Sequence, residues 1–302
     1  MALSVLILAA GKGTRMNSNS PKVLHHVGNI PMIYYSINLA IKAKAKNIGI
    51  VISKDATEIK NFIKSLSINI KLFVQSNQLG TGHAILSAKE FETKSEDLII
   101  LYGDCPLITV DTIKKLINTK KKGADLSVLG FLSNNQKEYG RMVVDKYNNL
   151  SKIIEYKDAD KNEKDIKFCN SGVIISKAKI LFSLLNQISN NNSAEEFYLT
   201  DIVSLANKQG LIVKSVYCNE AEAQGVNNRQ DLSEVELEFQ KNKRLEILDN
   251  GVTLKDPSSV YFSYDTEIDQ DSIVAVSYTH LRAHETPEHR VCRHRLEKKN
   301  GG

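Results

Sequence analysis

The chain has 302 residues, 42% of them hydrophobic, so it can bury one large core or two smaller ones. Its formal net charge of +5 is concentrated at the end, because residues 1–276 carry 34 basic and 32 acidic side chains. This balance disfavours a nucleic-acid-binding protein. No apolar run reaches the ~18–20 residues that span a bilayer, and no export leader precedes the first strand, so we expect a cytoplasmic protein without membrane contact. The four cysteines are tens of residues apart, which fits a reducing compartment and disfavours a zinc site.

Strand-like and helical patterns alternate through the first third of the chain. The apolar runs are LSVLILAA, IGIVI, IKLFVQ and DLIILYGD, and the amphipathic segments between them are PMIYYSINLAIKAKA, DATEIKNFIKSL and GTGHAILSAKEF. This alternation predicts β-α-β units and a mainly parallel sheet. Ligands of such sheets bind beyond the carboxyl ends of the strands, so the residues that follow each apolar run are candidate site residues.

The pattern becomes more strand-like from about residue 126. In YGRMVVDKYNNLSKIIEY, the NN pair predicts a hairpin turn. Lys120–Lys122 are expected to form a solvated helix end. EEFYLTDI, residues 195–202, is expected to belong to a structural helix, with contact to substrate as the alternative role. Residues 230–250 predict a long exposed linker helix. In residues 277–302 the composition changes abruptly, with four of the seven histidines, and we interpret this segment as a foreign tail.

A glycine-broken turn, LAAGKGTR, follows the first strand. It lacks the third glycine of the dinucleotide-binding fingerprint, and no P-loop occurs in the chain. Arg15 can hold two phosphate oxygens in a planar fork, and Lys22 can reach another phosphate as a point charge. These cations fit a polyphosphate ligand, although the residues alone also allow the interpretation that they are merely solvated.

Beyond these patterns, LAAGKGTRM followed by PK resembles the signature of sugar-1-phosphate nucleotidyltransferases. Seven further segments resemble bacterial N-acetylglucosamine-1-phosphate uridyltransferases in order and spacing over about residues 3–276: QLGTGHA, YGDCPL, YGR, IIEYKDA, NSG, EEFYLTDI and GVNNR. The resemblance implies an α/β, Rossmann-like (GT-A-like) nucleotidyltransferase domain with a mixed, mainly parallel sheet over residues 1–229. It also implies a linker helix over 230–250 and the first coil of a truncated left-handed β-helix over 251–276, ahead of the tail at 277–302.

The reaction implied by the resemblance joins UTP to N-acetylglucosamine-1-phosphate with Mg²⁺, which gives UDP-N-acetylglucosamine for cell-wall and lipopolysaccharide precursors and releases pyrophosphate. Complete family members also acetylate glucosamine-1-phosphate with acetyl-CoA and form homotrimers, both through the β-helix. This chain ends after the first coil. We therefore expect it to lack the second activity and to be a monomer.

The resemblance also implies roles for individual residues. Arg15 and Lys22 are the expected catalytic cations, and Asp104 and Asn227 are the expected Mg²⁺ ligands. The expected substrate-binding residues are Leu8, Ala9, Ala10, Gly11, Lys22, Gln75, Gly80, Thr81, Tyr102, Gly103, Asp104, Gly140, Glu155, Asn170 and Asn227. Among these, Gln75, Gly80 and Thr81 correspond to uracil-binding positions, and Tyr102, Gly140, Glu155 and Asn170 to positions around the sugar.

No general base is expected, because a sugar phosphate with a second pKa near ~6 is already mostly dianionic at neutral pH. His25 and His26 are therefore not assigned to catalysis. Cys105 stands where the family motif usually has an apolar residue, and we expect this change to leave metal binding intact.

Two alternatives remain open. One is transfer involving another sugar-1-phosphate or another nucleotide. The other is a non-catalytic sugar-nucleotide sensor, which would be expected to have lost Arg15, Lys22 or Asp104.

Overall fold

The computed structural model describes residues 2–135, 138–275 and 279–281. The chain forms two compact units. The first contains the residues up to His25 and Pro31–Leu232, and the second contains His26–Ile30 and the residues from Ser233 onward. Most of the predicted tail, 277–302, lies outside the described residues.

The elements follow the predicted alternation of strands and helices. The strands are β1 (Leu3–Ala9), β2 (His26–Val27), β3 (Ile30–Pro31), β4 (Asn47–Ser53), β5 (Lys71–Gln75), β6 (Asp97–Tyr102), β7 (Leu126–Leu132), β8 (Arg141–Val144), β9 (Leu150–Ile154), β10 (Phe168–Lys177), β11 (Val213–Cys218), β12 (Thr253–Leu254), β13 (Val260–Phe262), β14 (Ile273–Val274) and β15 (Thr279–Leu281). The helices are α1 (Met32–Lys42), α2 (Thr57–Ser65), α3 (Thr81–Leu86), α4 (Phe91–Lys94), α5 (Val110–Lys121), α6 (Lys161–Lys164), α7 (Ala178–Leu185), α8 (Asp201–Lys208), α9 (Glu220–Ala223) and α10 (Arg229–Asp249). Short 3-10 turns occupy Thr14–Met16, Lys22–Leu24 and Pro257–Ser259.

The first unit is built on a mixed sheet with the strand order β11-β7-β10-β6-β1-β4-β5. β1 is parallel to β4 and β6, β4 is parallel to β5, and β7 is parallel to β11. β10 is antiparallel to both of its neighbours, β6 and β7. The predicted mixed, mainly parallel sheet is confirmed.

Helices cover both faces of this sheet. Val5 and Ile7 of β1 pack in the cluster that includes α1, α2 and α5, whereas Leu6 and Leu8 pack in the cluster that includes α3, α7 and α8. Because successive side chains point to opposite faces, a strand buried on both faces is expected to be mostly apolar and not to alternate with polar residues. This explains the uninterrupted run VLIL.

The strand order also indicates where a ligand would bind. The chain runs from β1 to β4 and β5 on one side and then returns to β6 on the other side of β1. Strand order therefore reverses at β1, and ligands of open α/β sheets bind outside the carboxyl ends of the strands at such a point.

The hairpin predicted at the NN pair is confirmed. β8 and β9 pair antiparallel, and Asn148 between them has a positive φ of 60°. The Asp145 carboxylate accepts hydrogen bonds from the amides of Tyr147 and Asn149 at 2.8 and 2.9 Å, which stabilises this turn.

The expected solvation of Lys120–Lys122 is wrong at one position. Lys121 and Lys122 are exposed, but Lys120 is buried and forms an ion pair with Asp97, the equally buried first residue of β6. A buried ammonium group requires such a partner, and this one fixes the end of α5 against the sheet.

In the second unit, the helix predicted over 230–250 is found as α10, but it is not simply exposed. Val235, Phe239 and Ile247 are buried, whereas Leu237 is largely exposed. The Gln240 carboxamide accepts from the Phe262 amide and donates to the Phe262 carbonyl, both at 2.7 Å. These bonds connect α10 to β13.

Two short parallel pairings follow in the same unit, β12 with β14 and β13 with β15. The left-handed β-helix expected from residue 251 onward remains a prediction. None of the described helices is both long enough and apolar enough to cross a bilayer.

Candidate active site

The loop after β1 brings two cations together at the edge where strand order reverses. Gly13 has φ 63°, and a Cβ at this position would lie 2.7 Å from the Cβ of Lys22. Glycine therefore serves both the backbone conformation and the close approach to the lysine. Arg15, in the following 3-10 turn, extends its guanidinium to the Glu138 carboxylate and to Asn227 Oδ1, each at 3.3 Å.

Lys22, Asp104 and Asn227 converge at one point, although they are far apart in sequence. Lys22 Nζ donates to Asp104 Oδ2 and to Asn227 Oδ1, the latter at 3.3 Å. Both side chains of the ion pair are largely buried, at 14% exposure for Lys22 and 17% for Asp104. Backbone contacts help fix the site, since the Val226 amide donates to the Asp104 carbonyl at 2.9 Å.

The two oxygens that accept from the Lys22 ammonium belong to the side chains predicted to hold Mg²⁺, Asp104 and Asn227. A cation therefore already lies between them, and carboxylate and amide oxygens are donors that a hard divalent ion prefers. Within the described residues, no group of three or more His, Cys, Asp or Glu side chains could hold a metal ion. Mg²⁺ typically takes one or two protein ligands and completes its shell with water and substrate phosphates, so the pair fits this ion.

A cavity of about 440 Å³ opens beside these cations. It is lined by ten of the predicted site residues, namely Leu8, Ala9, Ala10, Gly11, Lys22, Gln75, Gly80, Thr81, Tyr102 and Asp104. Gly103, another predicted site residue, contacts this lining through its amide, which donates to the Leu8 carbonyl at 3.0 Å. A larger adjoining cavity of about 710 Å³ shares Ala9, Gly11 and Gln75 with it. The structure thus brings most of the predicted substrate-binding residues together around one cavity.

Gln75 and the Gly80 loop form one wall of the cavity. The buried carboxamide of Gln75 donates to the Gly80 carbonyl at 3.1 Å and lies 3.1 Å from His83 Nδ1. Gly80 adopts φ 106° and ψ 174°, a conformation that is essentially restricted to glycine. Two of the predicted uracil-binding positions, Gln75 and Gly80, are therefore hydrogen-bonded to each other.

The segment that supports this wall was expected to be helical and is not. Residues 195–200 have no helical assignment, and α8 begins only at Asp201. The Phe197 amide donates to the Leu79 carbonyl and the Phe197 carbonyl accepts from the Gly82 amide, both at 2.8 Å. Glu196 also lines the cavity, a contact that the sequence analysis did not assign to a particular residue.

Of the residues predicted around the sugar, Tyr102 lines the cavity, whereas Gly140, Glu155 and Asn170 form a second group. The Asn170 amide donates to the Gly140 carbonyl at 2.8 Å, and a Cβ on Gly140 would lie 3.5 Å from Glu155 Oε2. Thr200 donates its hydroxyl to Glu155 Oε1 at 2.9 Å. These contacts present acceptor and donor groups of the kind that a hydroxyl-rich ligand needs.

Burial governs the electrostatics of this second group. Desolvation raises the pKa of Glu155, the hydrogen bond from Thr200 opposes that shift, and the nearby charges of Asp201, Asp158 and Glu196 add to it. Burial also raises the pKa of Tyr102 strongly, and the charges of Glu155 and Asp104 contribute to that shift. Tyr102 is therefore close enough to both Glu155 and Asp104 for their charges to act on its hydroxyl.

Comparison with known proteins places these features in a family. The model of the MobA-like NTP transferase domain matches residues 5–165. The chain is 40% identical over 272 residues to the bifunctional protein GlmU of Ruegeria sp. (strain TM1040) and 39% identical over 270 residues to that of Bartonella quintana (strain Toulouse). These alignments cover 90% and 89% of this chain, which spans only about 60% of the length of each relative.

A solved structure shares the fold. The crystal structure of a UDP-glucose pyrophosphorylase complexed with UDP-glucose superposes with a TM-score of 0.64 and 18% identity. The match covers 80% of this chain and all of that one. The predicted Rossmann-like nucleotidyltransferase fold is confirmed by this likeness.

Proposed function

The chain belongs to the MobA-like NTP transferase family, and on that premise we propose that it transfers a uridylyl group from UTP to N-acetylglucosamine-1-phosphate. The products are UDP-N-acetylglucosamine and pyrophosphate. Membership of the family confirms the predicted enzyme class, a nucleotidyltransferase. The choice of this nucleotide and this sugar rests on the similarity to the GlmU proteins and on the side chains of the site.

The convergence of Lys22, Asp104 and Asn227 beside the cavity carries the proposal. One ammonium group and two side-chain oxygens of the kind that a hard cation prefers lie together near the carboxyl ends of β1 and β6, next to a glycine-rich turn. Backbone amides at such a turn and a nearby arginine suit the phosphates of a nucleoside triphosphate. A purely structural ion pair would not require a cavity lined by this loop.

The chain's cations supply most of the proposed catalysis. The sugar phosphate is already a nucleophile at neutral pH, so the protein needs to align two polyanions and to stabilise the negative charge that develops on the α-phosphate and the leaving pyrophosphate. Arg15 and Lys22 take this role. Bound to Asp104 and Asn227, a Mg²⁺ ion would neutralise phosphate charge and help to orient the triphosphate.

The second group of residues orients the sugar phosphate. The Glu155 carboxylate accepts from a sugar hydroxyl, and Thr200 holds that carboxylate in place through its hydrogen bond. Asn170 and Gly140, joined through the backbone, line the same region. A nucleotide sensor without catalysis is disfavoured because Arg15, Lys22 and Asp104 are all present.

A substrate screen tests the proposal. Each of the four common nucleoside triphosphates is incubated with N-acetylglucosamine-1-phosphate, glucose-1-phosphate or galactose-1-phosphate in the presence of Mg²⁺, and products are identified by mass spectrometry. We expect UDP-N-acetylglucosamine to form fastest. Faster formation of another nucleotide sugar would contradict the substrate assignment, and no product from any pair would contradict the enzymatic role.

A further inference from the structure

The geometry points to Lys22 as the resident cation of the metal site in the free protein, which must leave Asp104 and Asn227 before a divalent ion can bind there. This inference rests on the proposed function, since it concerns the same site. It adds that metal and nucleotide bind in a coupled way, because the nucleotide phosphates provide the alternative partner for the lysine.

Three observations support this role for Lys22. First, the ammonium donates to both expected ligand oxygens, so it occupies the space between them and does not merely lie near one of them. Second, the pair is largely buried, so water does not readily replace the lysine. Third, Gly13 packs against the base of the Lys22 side chain, which fixes where that side chain starts.

Arg15 occupies a different position and provides a natural comparison. It contacts Asn227 Oδ1 and Glu138, and its side chain is 62% exposed. No hydrogen bond between Arg15 and Asp104 is present among the described contacts. Arg15 is thus a nearby positive charge that does not hold the carboxylate.

Metal and nucleotide binding are coupled because the ammonium and the metal ion exclude each other from the same two oxygens. One carboxylate oxygen and one amide oxygen hold either the ammonium or the metal ion, so the free protein binds a divalent ion weakly. A triphosphate attracts Lys22 away from Asp104, and this exposes the oxygens at the moment when phosphates are available to complete the metal shell. Lys22 then serves first as a placeholder for the metal and afterwards as a phosphate ligand.

The test measures Mn²⁺ binding by electron paramagnetic resonance, without nucleotide, for the wild type and for Lys22→Met. Mn²⁺ shares the preference of Mg²⁺ for oxygen ligands. We expect Lys22→Met to bind Mn²⁺ about tenfold more tightly or better, since the metal no longer breaks a charge-assisted hydrogen bond. The matched control, Arg15→Met, removes one positive charge and a 3.3 Å hydrogen bond to Asn227 Oδ1, but it leaves the ion pair of Lys22 with Asp104 in place. It should change the Kd by less than about threefold.

Further measurements locate the bound ion, test its coupling to the nucleotide and check that the variants fold. Asp104→Asn combined with Lys22→Met should lose the tight Mn²⁺ site, which locates the ion. Adding α,β-methylene-UTP, a poorly reactive analogue, should strengthen Mn²⁺ binding more in the wild type than in Lys22→Met. Circular dichroism checks that the variants fold, and Lys22→Gln replaces Lys22→Met if the latter does not.

Equal Mn²⁺ affinity in the wild type and Lys22→Met would overturn the inference while leaving the proposed reaction intact. Equal tightening in Arg15→Met would overturn it as well, because general charge repulsion would then explain the effect. A wild type that binds no Mn²⁺ even with the nucleotide analogue would contradict the metal site itself, and the inference with it.

Discussion

Substitution of Gly80 tests how the cavity wall formed by Gln75 and the Gly80 loop is held in place. A Cβ added to Gly80 would lie 2.7 Å from the Phe197 carbonyl oxygen and 2.8 Å from the Phe197 amide nitrogen. Both are backbone atoms, and the same segment bonds to Leu79 and Gly82. Gly80→Ala must therefore push residues 196–198 away from the loop.

The loss of folding free energy expected for Gly80→Ala has two parts. The backbone conformation, with φ 106°, costs an alanine about 1–3 kcal/mol. The clash with Phe197 adds about 1–3 kcal/mol, as for overpacked sites that cannot easily relax. Gly123 is a matched control, because it has a similar φ of 112° and nothing within 4 Å of its added Cβ. Gly123→Ala therefore incurs mainly the conformational cost.

Urea denaturation measures the free energy of unfolding of both variants, and calorimetric titration measures UTP binding. We expect Gly80→Ala to be less stable than Gly123→Ala by about 1–3 kcal/mol. We also expect only Gly80→Ala to weaken UTP binding. Equal stability of the two variants together with wild-type UTP affinity in Gly80→Ala would refute this account of the loop.

Three further predictions concern other parts of the first unit. Lys120→Met should lower the free energy of unfolding by about 3–5 kcal/mol, because it leaves the Asp97 carboxylate buried without its ammonium; adding Asp97→Asn should recover part of this loss in urea denaturation. Sugar-phosphate affinity should fall as the pH is lowered through the raised pKa of Glu155, because the ionised carboxylate is the form that accepts a hydrogen bond from a sugar hydroxyl. Thr200→Val removes a hydrogen bond that favours the ionised form. In this variant the acidic limb of the 1/KM profile should therefore move to higher pH. The pH profiles of the wild type and of Thr200→Val are measured with the same substrate, so the substrate's own titration cancels in the comparison. Cys105→Ala should leave Mn²⁺ affinity with the nucleotide analogue within about twofold of the wild type, because the Cys105 thiol is a buried weak donor and no metal ligand; a larger loss in calorimetric titration would contradict this.

Periodicity predicted the strands and helices of the first unit well where burial alone determines them. β1 is buried on both faces and reads as an apolar run that is unbroken from Val5 to Ala9, and the NN pair between two strand-like runs predicted the β8–β9 hairpin. These signals are local, so they can be recognised from the sequence.

The failures involve partners that are distant in sequence. Lys120 looked like a member of a solvated lysine run because its partner, Asp97, lies on another element. Residues 195–200 have helix-compatible side chains, but their backbone groups bond to the Gly80 loop, more than 100 residues earlier, and this tertiary pairing overrides helix propensity.

The candidate site contains both features that the sequence indicated and features that it did not. Similarity to a family selected Asp104, Asn227 and Lys22 individually, but no pattern in the sequence indicates that Lys22 lies between the other two. That arrangement depends on the order of the strands and on the chain returning at Asn227, just before α10. The contacts of Lys22 with both expected metal ligands are therefore seen only in the folded chain.

Release of pyrophosphate from UTP, N-acetylglucosamine-1-phosphate and Mg²⁺ tests the central claim most directly, with Asp104→Ala and Arg15→Ala measured beside the wild type. The account predicts release that requires both substrates and the metal ion and that falls by about 10²–10³ or more in each variant. Release that persists at the wild-type rate in either variant, or that proceeds without the sugar phosphate, would contradict it.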